Sequence, residues 1–388
     1  MATNAPPPAD VPPPADASSA SASAVPALPA DISLRYLAEG AANVIYRLSS
    51  PAGAPQFTHQ LLRARKALPS TQPNQLSYAQ LLHTFQPMFP AHLLLPTTLI
   101  RLPPSLLAHE NTALIALEAA KKRPAKRHGL YLEPSEEFGY LIMDMSPHPI
   151  TTPPPSPSFL ARAFARLPRR HKPSSSSSSP HQQTRQLLIE FKPKWVLQSP
   201  SAAASPWRRC RTCALRLSKN QKPGFCPLDM ASGSEERVRR AVAFLVPAVK
   251  PAGLVLRGAE TWDATRVTVA EHVVRYLVGG DLMPTLKGLH GRLDPYGPVG
   301  MMGRAEEERK LFMTAMTVRD LTVFLRIDLD GREGEIEGVE AKVGDLDLKT
   351  GAAGKWEYWE GVERTLMEGG WYGGSEEGAE EKGVWCMP

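Results

Sequence analysis

The sequence predicts an α+β protein with two core-forming lobes, and three observations carry that reading. First, 388 residues, 42% hydrophobic and 22% charged, are enough chain for two cores. Second, strand-like runs precede a helical run and a further strand within the first 150 residues. Third, the 39 prolines are about twice the usual share of about 5% and crowd into a few segments, so part of the chain is linker.

Residues 1–30 are Ala/Pro/Ser-rich and read as a disordered tail. ISLRYLAEGAANVIYRLSS then reads as two short strands around a small-residue turn, and QFTHQLLRARKAL as a third strand. Helical periodicity follows in NQLSYAQLLHTFQPMF and in TALIALEAAKKR, and GYLIMDM is a short buried strand ending in an acid. These runs make a first unit over residues 31–150. A low-complexity block at 151–184, with six consecutive serines (Ser174–Ser179), reads as an exposed insertion. Over 185–372, RQLLIEFKPKW, LTVFLRIDL and EIEGVEAKVGDLDL are strand candidates, and ERVRRAVAFLV and EEERKLFMTAM are helices. Residues 373–388 read as an acidic, flexible tail. The start of the chain lacks a signal-peptide pattern, and no run reaches about 18 apolar residues. The expectation is an intracellular protein of the nucleus and/or cytoplasm, monomeric, with no membrane and no stable nucleic-acid partner.

Net charge is +6, but its distribution says more. From Leu160 to Lys222 fourteen Lys/Arg face one acid, Glu190. Such clusters bind phosphate groups, on nucleic acid or on a small ligand. The run Arg166–Lys172 reads as a solvated linker. Lys192 and Lys194 differ: at strand period they share a face with Glu190 directly after an apolar run, and charges at a strand end are costly unless they serve a ligand.

The turn Glu39–Asn43 could bring backbone N–H groups to a nucleotide phosphate, although an ordinary hairpin explains it as well. GAAGKW (Gly351–Trp356) lacks the spacing and hydroxyl of a phosphate-binding P-loop. Asp320 stands where a helical run meets a strand-like run. Asp345 and Asp347, two residues apart, share a strand face with Lys349. Phosphoryl transfer needs an acid to orient the attacking hydroxyl, acids for Mg²⁺ and cations for the phosphates. Cys210-x-x-Cys213 with Cys226 has the spacing of a zinc half-site, but no fourth ligand is evident nearby, and buried free thiols are the default.

Six motifs in order, EGAAN-V-x-Y, LLR-A-R-K, IEFKPKW with RRCRTCA, CPLDMASGS, AMTVRDLTVFL and GDLDLK with KWEYW, resemble the inositol-pentakisphosphate 2-kinases, with wording closest to the fungal branch. The resemblance covers Ile32 to Tyr372 apart from the 151–184 block. It implies a two-lobed kinase-like fold with a smaller N-terminal lobe and a larger, inositide-binding C-terminal lobe. It also implies ATP and Mg²⁺, and transfer of the γ-phosphate to the axial 2-hydroxyl of inositol 1,3,4,5,6-pentakisphosphate. Gly40, Ala41, Ala42 and Asn43 would cover the nucleotide phosphates, Arg63 would contact them, and Asp144 would lie near the adenine hinge with Glu190 beside the nucleotide. Arg127, Lys192, Lys194, Arg209, Arg211, Lys219, Lys349, Lys355 and Tyr358 would contact inositol phosphates. Asp320 would meet the reacting hydroxyl and Asp345 would hold Mg²⁺, with Asp347 as neighbour or alternate. Three departures stand out. The Cys/His zinc site of plant members, between the PLD and RD motifs, has no counterpart, because this interval holds His272 and His290 but no cysteine. An Asn-rich contact is replaced around Arg257-Gly258, and GAAG shifts the last basic residues. The alternative is a non-catalytic basic scaffold for inositol polyphosphate or RNA.

Overall fold

The computed structural model describes residues 25–49, 57–148, 183–202, 209–256, 260–329, 338–352, 354–373 and 386. The Arg166–Lys172 run, the serine stretch and Arg257-Gly258 lie outside these. The α+β expectation holds, with two separate antiparallel sheets.

The first sheet runs β1 (Ser33–Glu39), β2 (Asn43–Ser49), β3 (Gln60–Arg65), β5 (Phe138–Met143), β4 (Thr97–Arg101) in spatial order. Its period-2 patterning puts Val44, Tyr46, Leu48, Leu62 and Ala64 into one core with Leu107 and Leu114 of α2 (Leu106–Ala119). Gly139 in β5 keeps the packing close, because a Cβ there would sit 2.8 Å from the Leu62 side chain and force it to shift. Residues expected in the N-terminal tail join this core: Leu28 is buried and donates its N–H to Arg101 O at 2.8 Å, while Arg101 N–H donates to Pro26 O at 2.8 Å. The tail expectation is therefore wrong for 25–30, where apolar Val25 and Leu28 have a strand edge to pack on.

The second sheet is β6 (Gln186–Phe191), β7 (Thr322–Asp328) and β8 (Val339–Gly344). One face buries Leu187, Ile189, Phe191, Val323, Leu325, Ile327, Ala341 and Val343. Against it pack α5 (Glu235–Val242), α6 (Trp262–Gly279), α7 (Leu282–Leu293) and α8 (Glu306–Asp320). α6 and α7 were not singled out from the sequence; Thr261 caps α6 by accepting the Ala264 N–H at 3.4 Å. Phe85, Phe89 and Leu93, which follow α1 (Asn74–Gln80), also pack in this second core, and Leu95 N–H donates to Val343 O at 2.9 Å. α3 (Arg211–Ser218), α4 (Pro227–Met230) and α9 (Lys355–Glu368) complete the described α-helices. No helix among the described residues is long and apolar enough to cross a membrane.

Beneath the β1–β2 turn lies a fully buried charge cluster. Lys66 Nζ donates to Glu39 at 2.5 Å and to Gly40 O at 3.0 Å, and Arg123 donates to Glu39 at 2.8 Å. Burial would raise the Glu39 carboxyl, but Arg123 and Lys66 hold it at about 2. Glu39→Ala would leave two buried cations side by side and should cost about 3–5 kcal/mol of stability. A lowered denaturant midpoint is expected; an unchanged one would mean that the cluster does not support the turn.

Candidate active site

The faces of the two sheets that do not enter the cores look onto one cleft of about 920 Å³. Ile45, Leu61, Arg63, Tyr140 and Ile142 line it from the first sheet, and Leu188, Glu190 and Phe324 from the second. Strand alternation explains this: each lining residue neighbours a core residue, as Arg63 does Leu62 and Ala64.

Asp320 is the last residue of α8 and lies on the cleft wall. Lys194 Nζ approaches its Oδ1 to 2.6 Å and Lys349 Nζ its Oδ2 to 2.8 Å. Lys192 Nζ donates to the Asp320 carbonyl at 2.5 Å and stands 3.8 Å from Oδ1. Burial would raise the Asp320 carboxyl, but Lys349 and Lys194 hold it at about 2. The preceding residue anchors it: buried Arg319 donates to Asp294 at 2.7 Å and stacks 3.5 Å over the Trp195 ring. Lys349 is tied to the same helix, since its N–H donates to the Thr317 hydroxyl at 2.8 Å.

The sequence expected these charges to share strand faces. Instead both strands stop short, β6 at Phe191 and β8 at Gly344, and left-handed residues turn the chain: Lys194 at φ 59° and Asp345 at φ 60°. Such backbone costs of order 1–3 kcal/mol for a non-glycine residue and gathers at functional sites. Asp345 accepts from the Thr322 hydroxyl at 2.5 Å and lies 3.5 Å from Lys192 Nζ. Burial raises its carboxyl, yet Arg63, Thr322 and Lys192 together leave it below the ordinary range. Asp347 pairs with Arg63, reaching from the end of the second sheet to β3 of the first.

The β1–β2 turn closes the opposite side. Gly40, Ala41, Ala42 and Asn43 all line the cleft, with Gly40 N–H donating to Asn43 O at 2.9 Å. In the amide orientation that satisfies both groups, Asn43 accepts from Arg63 at 2.7 Å. Asp144, at the end of β5, lines the cleft while pairing with Arg47 at 3.1 Å. Glu190 lines it from β6; burial and Asp345 raise its carboxyl. Arg127 also reaches the cleft.

Six expected contacts are not among the residues that line this cleft: Lys194 meets it only through its ion pair with Asp320, and the other five lie elsewhere. Arg211 is buried, donates to Glu363 at 2.5 Å and stacks 4.3 Å from the Trp195 ring centre. Arg209 is buried, with its N–H donating to Tyr372 O at 3.1 Å. Lys219 caps the end of α3, and Lys355 at the start of α9 lies over the Tyr358 ring at 5.5 Å. Residues missed from sequence include Thr322, Lys66 with Glu39, and the Arg319–Asp294 pair. Only Arg319 carried a signal, as the basic residue preceding Asp320.

Folded Asp320 stays ionised to about pH 2, whereas an unfolded aspartate protonates near about pH 4. The stability this contributes is complete above about pH 4 and is lost as pH falls toward 2. Asp320→Asn should therefore melt below wild type at pH 6, and the gap should close through that acid window. A pH-independent gap in thermal midpoint would contradict the lysine-held carboxylate.

The model of the inositol-pentakisphosphate 2-kinase family matches residues 36–365. A Yarrowia lipolytica (strain CLIB 122 / E 150) protein named inositol-pentakisphosphate 2-kinase is similar, 31% identical over 185 residues. That alignment covers 47% of this chain and 53% of the relative, so the match spans about half the length of that protein. The family match includes the β1–β2 turn, Asp320, Asp345 and all three site lysines. This chain belongs to the inositol-pentakisphosphate 2-kinase family.

Proposed function

We propose that the protein transfers the γ-phosphate of ATP to the 2-hydroxyl of inositol 1,3,4,5,6-pentakisphosphate, giving inositol hexakisphosphate (phytic acid). One observation carries the reading: an ionised aspartate at the centre of three lysines on a cleft wall, facing a small-residue turn and an arginine. A passive polyanion binder gains nothing from carboxylates at its phosphate site, which disfavours a non-catalytic scaffold for inositol polyphosphate or RNA.

In this reading the two sheets belong to two kinase-like lobes, residues 31–150 and 185–372, and the cleft between them takes both substrates. Backbone N–H groups of Gly40–Asn43 and the Arg63 guanidinium hold the nucleotide phosphates, with Asp144 and Glu190 on the nucleotide side. Lys192, Lys194 and Lys349 hold phosphates of the inositol ring, with Arg127 reaching in from the segment between α2 and β5. Once those phosphates draw the lysines away, Asp320 is free to accept a hydrogen bond from the 2-hydroxyl and aim it at the γ-phosphorus. Asp345 and Asp347 offer the hard carboxylate oxygens that suit Mg²⁺, and the Thr322 hydroxyl already fixes one of them. When bound there, the ion neutralises charge on the transferring phosphate. We place the protein in the nucleus and/or cytoplasm, acting as a monomer.

ADP release with Mg²⁺-ATP should be strong with the pentakisphosphate, weak with lower inositol phosphates and absent without acceptor. Equal release without acceptor would refute the assignment. Asp320→Ala and Asp345→Ala should each cost about 10²–10⁴ in turnover, with nucleotide binding spared in the first and weakened in the second. Full activity in both variants would rule out this mechanism.

Lys194→Ala should raise the pentakisphosphate KM about tenfold to a hundredfold, since charge-assisted hydrogen bonds contribute about 1.5–3 kcal/mol each. Arg211→Gln should leave KM alone and lower the unfolding midpoint, because its guanidinium serves buried Glu363. The opposite pattern would move the inositide site toward α3.

A further inference from the structure

The four cysteines of the chain meet at one point, away from the cleft residues. Cys210 and Cys213 sit at the N-terminal end of α3, Cys226 directly precedes α4, and Cys386 comes from 160 residues further along. Their sulfurs all lie within 4.8 Å of one another. Cys226 Sγ is 3.8 Å from Cys210 Sγ and 3.3 Å from Cys386 Sγ. None forms a disulfide, and all four are buried.

Packing alone does not account for this cluster. Cysteine used as a small hydrophobe sits among aliphatic side chains, but here the buried members are the four cysteines and nothing else, with half-buried Leu228 beside them. A zinc ion bonded to four thiolates at about 2.3 Å holds its sulfurs about 3.8 Å apart; the Cys226–Cys210 separation matches that value and no pair exceeds 4.8 Å. The Cys213 N–H donates to Cys210 Sγ at 3.4 Å, the type of backbone contact that orients a sulfur ligand.

We propose that Cys210, Cys213, Cys226 and Cys386 bind one Zn²⁺ in a closed tetrahedral site that fastens the end of the chain onto α3 and α4. Four thiolates fill the coordination sphere, so the site is structural and has no open position for a reactant. Binding converts four thiols to thiolates and releases their protons to solvent, with no change of oxidation state. The site differs in ligands and position from the Cys/His arrangement of plant members, which falls between the PLD and RD motifs. It also closes a long loop, where a metal clip constrains the unfolded chain most. α3 already receives the later chain through Arg211–Glu363 and through Arg209 N–H to Tyr372 O, so the metal would reinforce one existing junction.

The test uses the full chain purified without chelator. Elemental analysis should find one zinc per chain, and cobalt substitution should give the intense visible bands of a tetrahedral tetrathiolate centre. Cys386→Ser, whose position is outside both helices, should surrender zinc to a chelator at least tenfold faster than wild type and should shift the cobalt spectrum. Chelation should lower the wild-type thermal midpoint, and should lower that of Cys386→Ser by less, because a three-thiolate site holds the metal more weakly. Cys226→Ser should behave alike. Zinc-free native protein with four titratable thiols, bound iron, a Cys226–Cys386 disulfide, or unchanged zinc retention in Cys386→Ser would each overturn the proposal.

Discussion

A carboxylate held ionised among three lysines is the interaction around which the rest of the site is arranged. Two cations within 2.8 Å of Asp320 and a third on its carbonyl would repel one another strongly without that carboxylate between them. Three separate pieces of chain deliver these four residues: Lys192 and Lys194 after β6, Lys349 after β8, Asp320 at the end of α8. The supporting structure fixes those ends. Arg319 is locked between Asp294 and Trp195, and the Lys349 backbone is tied to Thr317. Strain at Lys194 and Asp345 is the local cost of aiming the charges at one point.

The second constraint is that the cleft is bounded by two sheets whose cores are independent. Each sheet buries one face and presents its alternate residues, mostly apolar with Arg63 and Glu190 among them, to the cleft, so the same strand periodicity that builds both cores also supplies the lining. Arg63 and Asp347, 284 residues apart, pair across this space. In the proposed reading substrate phosphates would compete with such internal ion pairs. A phosphate that takes Arg63 or a site lysine exchanges one charged partner for another and exposes no cation to a bare apolar wall.

Local chemistry was legible in the sequence and long-range pairing was not. The β1–β2 turn, Asp320 at a helix–strand junction and the lysines after an apolar run were visible because each depends on a few neighbouring residues. Asp345, Asp347 and Lys349 were found for the wrong geometric reason: β8 ends at Gly344, and a left-handed residue, not strand alternation, groups them. Arg209 and Arg211 looked like ligand contacts because Glu363, the partner of Arg211, lies 152 residues away. Nothing near Lys66 in sequence reveals its burial against Glu39 and Arg123. Cys386, 160 residues beyond Cys226, could not be joined to the other three cysteines from sequence, since it lies in a segment whose acidic composition suggested only a tail.

The central claim is that Asp320 serves the reacting hydroxyl while the lysines around it serve the phosphates. Calorimetric titration of the pentakisphosphate into wild type and Asp320→Asn, beside their turnover rates, tests that division directly. Removing the carboxylate frees the lysines from their internal partner, so the account predicts that the variant binds the pentakisphosphate at least as tightly as wild type while turnover collapses. Loss of binding in parallel with turnover would contradict it, placing Asp320 among the groups that hold the substrate and leaving the reacting hydroxyl to another residue.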